Sequence, residues 1–324
     1  MAYAVRRINE LDHSVENFPT IIHNDTQQQD LDEALDWVRE NLTSLTEELN
    51  SSGAILFRGF PVTDAQSYER FFSAFGFDSF TYKESLSNAV RINHTPIVFT
   101  ANEAPKDVEI FLHSEMAQTP IYPSVISLFC QTSADVGGAT VLCRSDTLYQ
   151  ELLKRDPELT MKLERLGIRY TTRMPYENAR ESGQGRSWKG TLSVETEAEA
   201  EAKLLELGYT WSWEDGGTLL AQTPPLPAVR EISPGRKSFF NQIVAAYLGW
   251  AGARENPASV LCFGDDSHIP ASFMEAIVEV ALANSYDLEW QDGDVAIVNN
   301  HLVMHGRRPY SGDRKRVVLV ALGR

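Results

Sequence analysis

Cysteine is scarce in this chain. Three are present among 324 residues, Cys130, Cys143 and Cys262, and no two are spaced as CxxC. An odd, scattered set argues against a disulfide framework or a cysteine zinc site. A reducing, cytoplasmic setting is the simpler expectation. Long apolar runs are missing as well: nothing approaches the roughly 18–20 residues that a membrane span needs. The opening MAYAVRRINELDHSVEN turns acidic before any apolar stretch follows its arginines, so no signal peptide is expected. Positive charge is in deficit, with 29 Lys and Arg against 45 Asp and Glu and a formal net charge of −16. Such a field repels phosphate backbones and makes nucleic acid an unsuitable partner.

Internal repeats and long linkers are absent too, so one domain over residues 1–324 is expected, large enough to bury a core without staples. In QDLDEALDWVRENLTSLTEELN (29–50), Leu31, Leu35, Val38, Leu42, Leu45 and Leu49 follow steps of three and four, the mark of an amphipathic helix. The run AILFRGFPV reads as a strand closed by Gly and Pro, and Asp64 as the N-cap of a helix through AQSYERFFSAFG. From about residue 90 the pattern shifts to short β-rich runs: YPSVISLFCQT, GGATVLC, GIRYTTRM, GTLLAQ, PAVREI, KSFFNQIV, GDVAIVNN and KRVVLVAL. Helical stretches interrupt them at SDTLYQELLKRDPELTMKLER, at ETEAEAEAKLLEL and at IPASFMEAIVEVALANS. The fold class expected is mainly β with peripheral helices, a jelly roll or barrel with decorations. Residues 165–190 hold Arg165, Arg169, Arg173, Arg180, Arg186 and Lys189 with Gly183 and Gly185. A solvated loop accounts for such a segment, and so does a lid inserted over an active site.

Two distant elements carry chemistry. In FLHSEMA, His113 and Glu115 are two apart, and on a strand residues i and i+2 face one side. Alone, HxE is a weak sign, since a buried histidine bonded to a glutamate gives the same pair. The second element is GDVAIVNNHLVMHGRRPYSGDRKRVVLVAL, in which an apolar strand runs through Asn299 and Asn300 to His305 and is broken by Gly306. Two histidines and one carboxylate leave three open positions on an octahedral ion, the arrangement of non-haem Fe(II) oxygenases. A keto acid would take two of them and O2 the third. A keto acid with a distal carboxylate needs a cationic anchor. Arg316, 11 residues beyond His305, can grip it with two parallel hydrogen bonds, and Thr140 can add a hydroxyl. Arg314 shares the strand face of Arg316 and is the alternative anchor. His301 and His305 form HLVMH, which lacks the glutamate of a zincin. His94 reads as a core or loop residue, Asn241 as either a substrate contact or a backbone partner, and Arg307 as a partner for a carboxylate of substrate or protein.

The set HSEM, GGATVL, SFFNQ and NNHLVMHGRRPYSGDRKR resembles the TauD/TfdA-like Fe(II)/2-oxoglutarate dioxygenases. It is most similar to the branch with clavaminate synthase-like and syringomycin-type hydroxylases. GAILFRGFPV and WSWEDGGTLL extend the resemblance to about residues 53–322. It implies a distorted jelly roll, the double-stranded β-helix, with Fe(II) on His113, Glu115 and His305. Thr140 and Arg316 would hold 2-oxoglutarate, with O2 as second co-substrate. The implied substrate is an amino acid or a molecule derived from one, free or tethered to a peptidyl carrier protein, in natural product biosynthesis. The implied reaction is hydroxylation of an aliphatic C–H bond; desaturation or epoxidation would use the same site, and a homo-oligomer is compatible with it. The commoner family pattern is HxD, whereas this chain has HxE, as that branch does. Glu115 also fills the position that related halogenases leave free for halide. Two other classes remain open on sequence alone: a cupin-like zinc or manganese hydrolase or isomerase, and a non-catalytic binding or sensory protein.

Overall fold

The computed structural model of the chain describes residues 5–8, 18–25, 30–81, 85–87, 91–102, 104–178 and 185–324, the first four by backbone alone. Its apolar runs become strands that are buried on both faces, which is why they read as continuous rather than alternating. Along Ala54–Arg58, Ile55 and Phe57 point to one core while Ala54 and Leu56 point to another. Val295 and Ile297 alternate in the same way with Ala296 and Val298, and Leu319 and Ala321 with Val318 and Val320.

These strands belong to a seven-stranded sheet, here the large sheet. Its order is Val5–Ile8, Thr20–Asn24, Ala54–Arg58, Val295–Asn299, Val125–Thr132, Val317–Gly323 and Val98–Thr100. Thr20–Asn24 and Ala54–Arg58 pair in parallel, and the other neighbours are antiparallel. The outer face packs on the helices Leu31–Glu40, Leu42–Ser52 and Ala65–Ser73. The inner face packs on a four-stranded antiparallel sheet, here the site sheet, of order Ser285–Leu288, Thr140–Arg144, Val303–Arg307 and Ile110–His113. Beyond the site sheet, Leu112, Val141, Cys143 and Met304 meet the helices Ser145–Arg155, Pro157–Leu166, Ile243–Gly249 and Ala271–Ala283. A second four-stranded sheet, from Thr210–Glu214 to Leu261–Phe263, carries the helices Trp188–Leu192 and Glu197–Glu206.

This architecture corrects the expected fold class. Helices and strands take near-equal shares of the described residues, and the helices form whole layers rather than peripheral decoration. The sheets stay open: among the described residues no ladder joins the large sheet to the site sheet, so the expected double-stranded β-helix or jelly-roll barrel is not formed. Apolar periodicity reports that a strand is buried; it carries no record of which edges meet.

Local readings differ at several places. The stretch SDTLYQELLKRDPELTMKLER is two helices, Ser145–Arg155 and Pro157–Leu166, parted at Asp156. The 29–50 helix is two helices, broken at Asn41, whose amide bonds Trp37 O at 2.8 Å. In KSFFNQIV the strand ends at Ser238 and a helix opens at Ile243. The run expected to rise unbroken to His305 is split by a turn at Asn300–Leu302. Its halves, Val295–Asn299 and Val303–Arg307, lie in different sheets, so the chain steps from one sheet to the other at Asn300. No helix among the described residues is long and apolar enough to cross a membrane.

One buried acid couples the helix layer to the site sheet. Asp146, at the start of the Ser145–Arg155 helix, takes both Arg144 (2.6 Å) and Arg236 (2.8 Å). Those arginines in turn donate to the carbonyls of Ser52, Asn50 and Ser51, which close the Leu42–Ser52 helix. Carbonyls at a helix C-terminus lack internal partners and favour cations. Burial pushes the Asp146 carboxyl up, but the two guanidiniums outweigh this and hold it below its ordinary value. A depressed folded-state pKa gives stability that is present above the unfolded value and lost as pH falls through the folded one. Asp146→Asn is therefore expected to cost about 3 kcal/mol at neutral pH. The gap from wild type should narrow below about pH 4, as read by urea unfolding at a series of pH values.

Candidate metal centre and its cavity

The two histidines meet through strand register. His113 ends the Ile110–His113 strand, and His305 sits directly opposite on Val303–Arg307, with ring centroids 4.4 Å apart. His305 is thus inside a strand rather than at its end, and Gly306 continues the strand instead of breaking it. Glycine is needed there for a different reason. A Cβ on residue 306 would lie 2.3 Å from Ile110 O and 2.9 Å from Val141 Cγ1, so only glycine lets the strands close at the register shift.

Glu115 lies past the strand end, in a turn, so alternation along the strand is not what brings it to His113. The turn passes through Met116 at φ 58° and is pinned from two sides. Asn300 accepts from Glu115 N at 2.7 Å and donates to Glu115 O at 3.0 Å and to Pro123 O at 2.7 Å. Asn241 O accepts from Ser114 N, while its side chain bonds Ala228 O and Ile243 N. Asn241 is therefore a backbone partner.

The result is one point of convergence. Glu115 Oε2 lies 3.6 Å from His113 Nε2 and 3.5 Å from His305 Nε2. One ligand atom from each residue falls within 4.8 Å of the others. His113 Nδ1 is 2.8 Å from Phe111 O, a bond that puts the proton on Nδ1 and the lone pair on Nε2. Burial, aided by His113, pushes His305 down to about 4, so its imidazole is neutral at physiological pH. Burial pushes the Glu115 carboxyl up, but the Arg91 guanidinium and the two imidazoles hold it well below the usual carboxylate range. Neutral imidazoles and an ionised carboxylate are the states that bind a metal. With two nitrogens and one oxygen on a shared point, the donor set fits Fe(II) with open positions.

The triad opens into a cavity of about 670 Å³ that is also lined by Thr140 and Arg316. Thr140 Oγ1 accepts from Trp290 Nε1 at 3.0 Å, and Arg316 Nη2 donates to Gly138 O at 3.0 Å. No carboxylate among the described residues pairs with Arg316, and burial together with Arg307 pushes it down to about 10. Arg314 is elsewhere: it pairs with Asp292 and bonds Ser133 Oγ on the exposed side. Arg307 lines the cavity but spends its guanidinium on the carbonyls of Ala104, Pro105 and Val108. His94 is exposed, and His301 is wedged between Tyr122 and Phe240. Of the basic segment at 165–190, residues 168–174 form a strand, and Arg186 is buried with its Nη1 on Ser85 O and Ser87 O. Arg180 and Gly183 lie outside the described residues.

Sequence reasoning missed Arg91, which lies 2.7 Å from Glu115 Oε1, and the bracing role of Asn300. Each acts across a separation in the chain that leaves no spacing signal.

The family model described as taurine catabolism dioxygenase TauD, TfdA family matches residues 18–322. A clavaminate synthase-like protein of Arabidopsis thaliana is 35% identical over 275 residues, 85% of this chain and 82% of that protein. The dapdiamide synthesis protein DdaC of Enterobacter agglomerans is 26% identical over 289 residues, 85% of this chain and 84% of its own. A taurine dioxygenase structure from Burkholderia xenovorans superposes with a TM-score of 0.54 at 12% identity, over 98% of this chain and 90% of that one, a likeness of fold alone.

Gly306→Ala is expected to force apart the two strands that carry the histidines. Overpacking of this kind costs roughly 1–3 kcal/mol, read by urea unfolding, and metal titration of the folded variant should show markedly weaker binding than wild type.

Proposed function

We propose, because the chain belongs to the taurine catabolism dioxygenase TauD, TfdA family, that His113, Glu115 and His305 hold the iron of an enzyme that hydroxylates an aliphatic C–H bond. It is an Fe(II)- and 2-oxoglutarate-dependent oxygenase acting on a small molecule. The observation that carries the assignment of roles is the sharing of one cavity by the triad, Thr140 and Arg316. Arg316 is the anchor for the far carboxylate of 2-oxoglutarate, with Thr140 beside it, because Arg314 is turned away and already paired.

Bound together, Fe(II), 2-oxoglutarate and O2 supply the oxidising power. In the overall reaction, substrate, 2-oxoglutarate and O2 give hydroxylated substrate, succinate and CO2. The chain's own part is positional. The Phe111 carbonyl fixes the His113 tautomer, Asn300 fixes the turn that presents Glu115, and the apolar wall of Leu128, Val318 and Val320 keeps water from the reacting carbon.

The substrate is an amino acid or a molecule derived from one, free or presented on a peptidyl carrier protein. The likeness to a dapdiamide synthesis protein supports a biosynthetic role. The whole chain acts as one catalytic domain, and the three buried free thiols suit the cytoplasm.

Anaerobic titration with Fe(II) and then 2-oxoglutarate is expected to raise a weak visible charge-transfer band that His113→Ala abolishes. Arg316→Ala, stripped of a charge-assisted pair, should weaken 2-oxoglutarate binding about 10–100-fold, whereas Arg314→Ala should leave it unchanged. Fe(II) binding without a band at saturating 2-oxoglutarate would refute the assignment. Product analysis over free and carrier-bound amino acids then separates hydroxylation from desaturation or epoxidation.

A further inference from the structure

The two oxygens of Glu115 have separate uses. Oε2 faces Nε2 of both histidines, and Oε1 is taken by Arg91 Nη2 at 2.7 Å, with the two side chains only 6% and 5% exposed. A charged N–H···O bond of that length is among the stronger ones available to a side chain. Arg91 is itself held in place, its guanidinium lying over the Phe99 ring at 5.3 Å, on the Val98–Thr100 edge of the large sheet. Among the described residues its Nε is buried without a hydrogen-bond partner, a cost the fold accepts while keeping the bond to Glu115.

A glutamate needs such a restraint more than an aspartate does. Its additional methylene adds a rotatable bond, and a free carboxylate can offer a metal one oxygen or both. In a three-residue site the difference decides function. A keto acid takes two of the three open positions and O2 the third, so a second Glu115 oxygen would occupy a place the reaction needs. The pair also has no net charge, which leaves the charge of a divalent ion to be met by a dianionic co-substrate.

We propose that Arg91 is a positioning residue that confines Glu115 to ligation through one oxygen and so keeps the third coordination position open. This deepens the reading of Glu115 as a metal ligand and rests on it. Partners of ligating side chains fix ligand orientation, and their loss commonly costs tenfold or more in binding or activity.

The test is infrared difference spectroscopy of the full chain, with and without Fe(II), under anaerobic conditions. Wild type is expected to show the widely split carboxylate stretches of a ligand bound by one oxygen, and Glu115→Gln to lose them. In Arg91→Leu the splitting should narrow to that of a carboxylate bound by both oxygens, and the metal-loaded variant should bind 2-oxoglutarate about tenfold more weakly. Should Arg91→Leu fail to fold, Arg91→Gln carries the same test, because its shorter amide cannot reach Oε1. Wide splitting and unchanged 2-oxoglutarate affinity in the variant, even with a lowered melting temperature, would overturn the proposal and leave Arg91 a packing role only. If Glu115→Gln keeps the wild-type bands, Glu115 is not a ligand, and the metal assignment falls together with the proposal.

Discussion

The side-chain amide of Asn300 holds together what the rest of the site requires. It stands where the chain leaves the large sheet and enters the site sheet, and it is wholly buried. Its oxygen and nitrogen bracket the backbone of Glu115, and its nitrogen also reaches Pro123 O. A buried amide with its bonds made is rigid, whereas one left unmade costs the full desolvation of the group. The carboxylate is thereby fixed to the same stretch of chain that carries His305, five residues on. Strand register then places His113 opposite His305, and Gly306 permits the approach. A local geometry of three ligands is thus the product of one corner, one register and one missing Cβ.

Charge is distributed against the character of the whole. The chain is strongly acidic, yet its cavity is lined by Arg91, Arg173, Arg307 and Arg316. Three of these are engaged: Arg91 with Glu115, Arg173 with Glu214, and Arg307 with backbone carbonyls. Arg316 keeps a single carbonyl bond and has no carboxylate partner among the described residues. A half-buried cation without a counterion favours an anion beside it, which is what the proposed role of Arg316 as the anchor for 2-oxoglutarate calls for. On that proposal, cavity and co-substrate complement each other in charge.

The sequence offered the site through the chemistry of its side chains and a family resemblance: His113, Glu115 and His305 as metal ligands, and Thr140 with Arg316, or Arg314 in its place, for the keto acid. The structure gathers the triad, Thr140 and Arg316 at one cavity. The strands at Val125–Thr132 and Val317–Gly323 were legible because burial on both faces makes most of their length apolar. Closure was not legible, since the pairing of edges depends on contacts between strands far apart in the chain. The turn at Asn300 was hidden because Leu302 and Val303 continue the apolar run through it. SFFNQIV misled in the opposite direction, its β-branched and aromatic residues concealing a helix that begins at Ile243. Arg91 offered no signal at all: its meaning lies in a partner 24 residues away.

Arg307 sets how the cavity can move. Its guanidinium gathers the carbonyls of Ala104, Pro105 and Val108 into one wall. Swinging that wall outward would break the hydrogen bonds of a charged group to these carbonyls, at a cost of about 3 kcal/mol or more. Fewer than about one molecule in a hundred would then be open on that side at any moment. Any opening that admits substrate or releases product is therefore expected at the remainder of the rim.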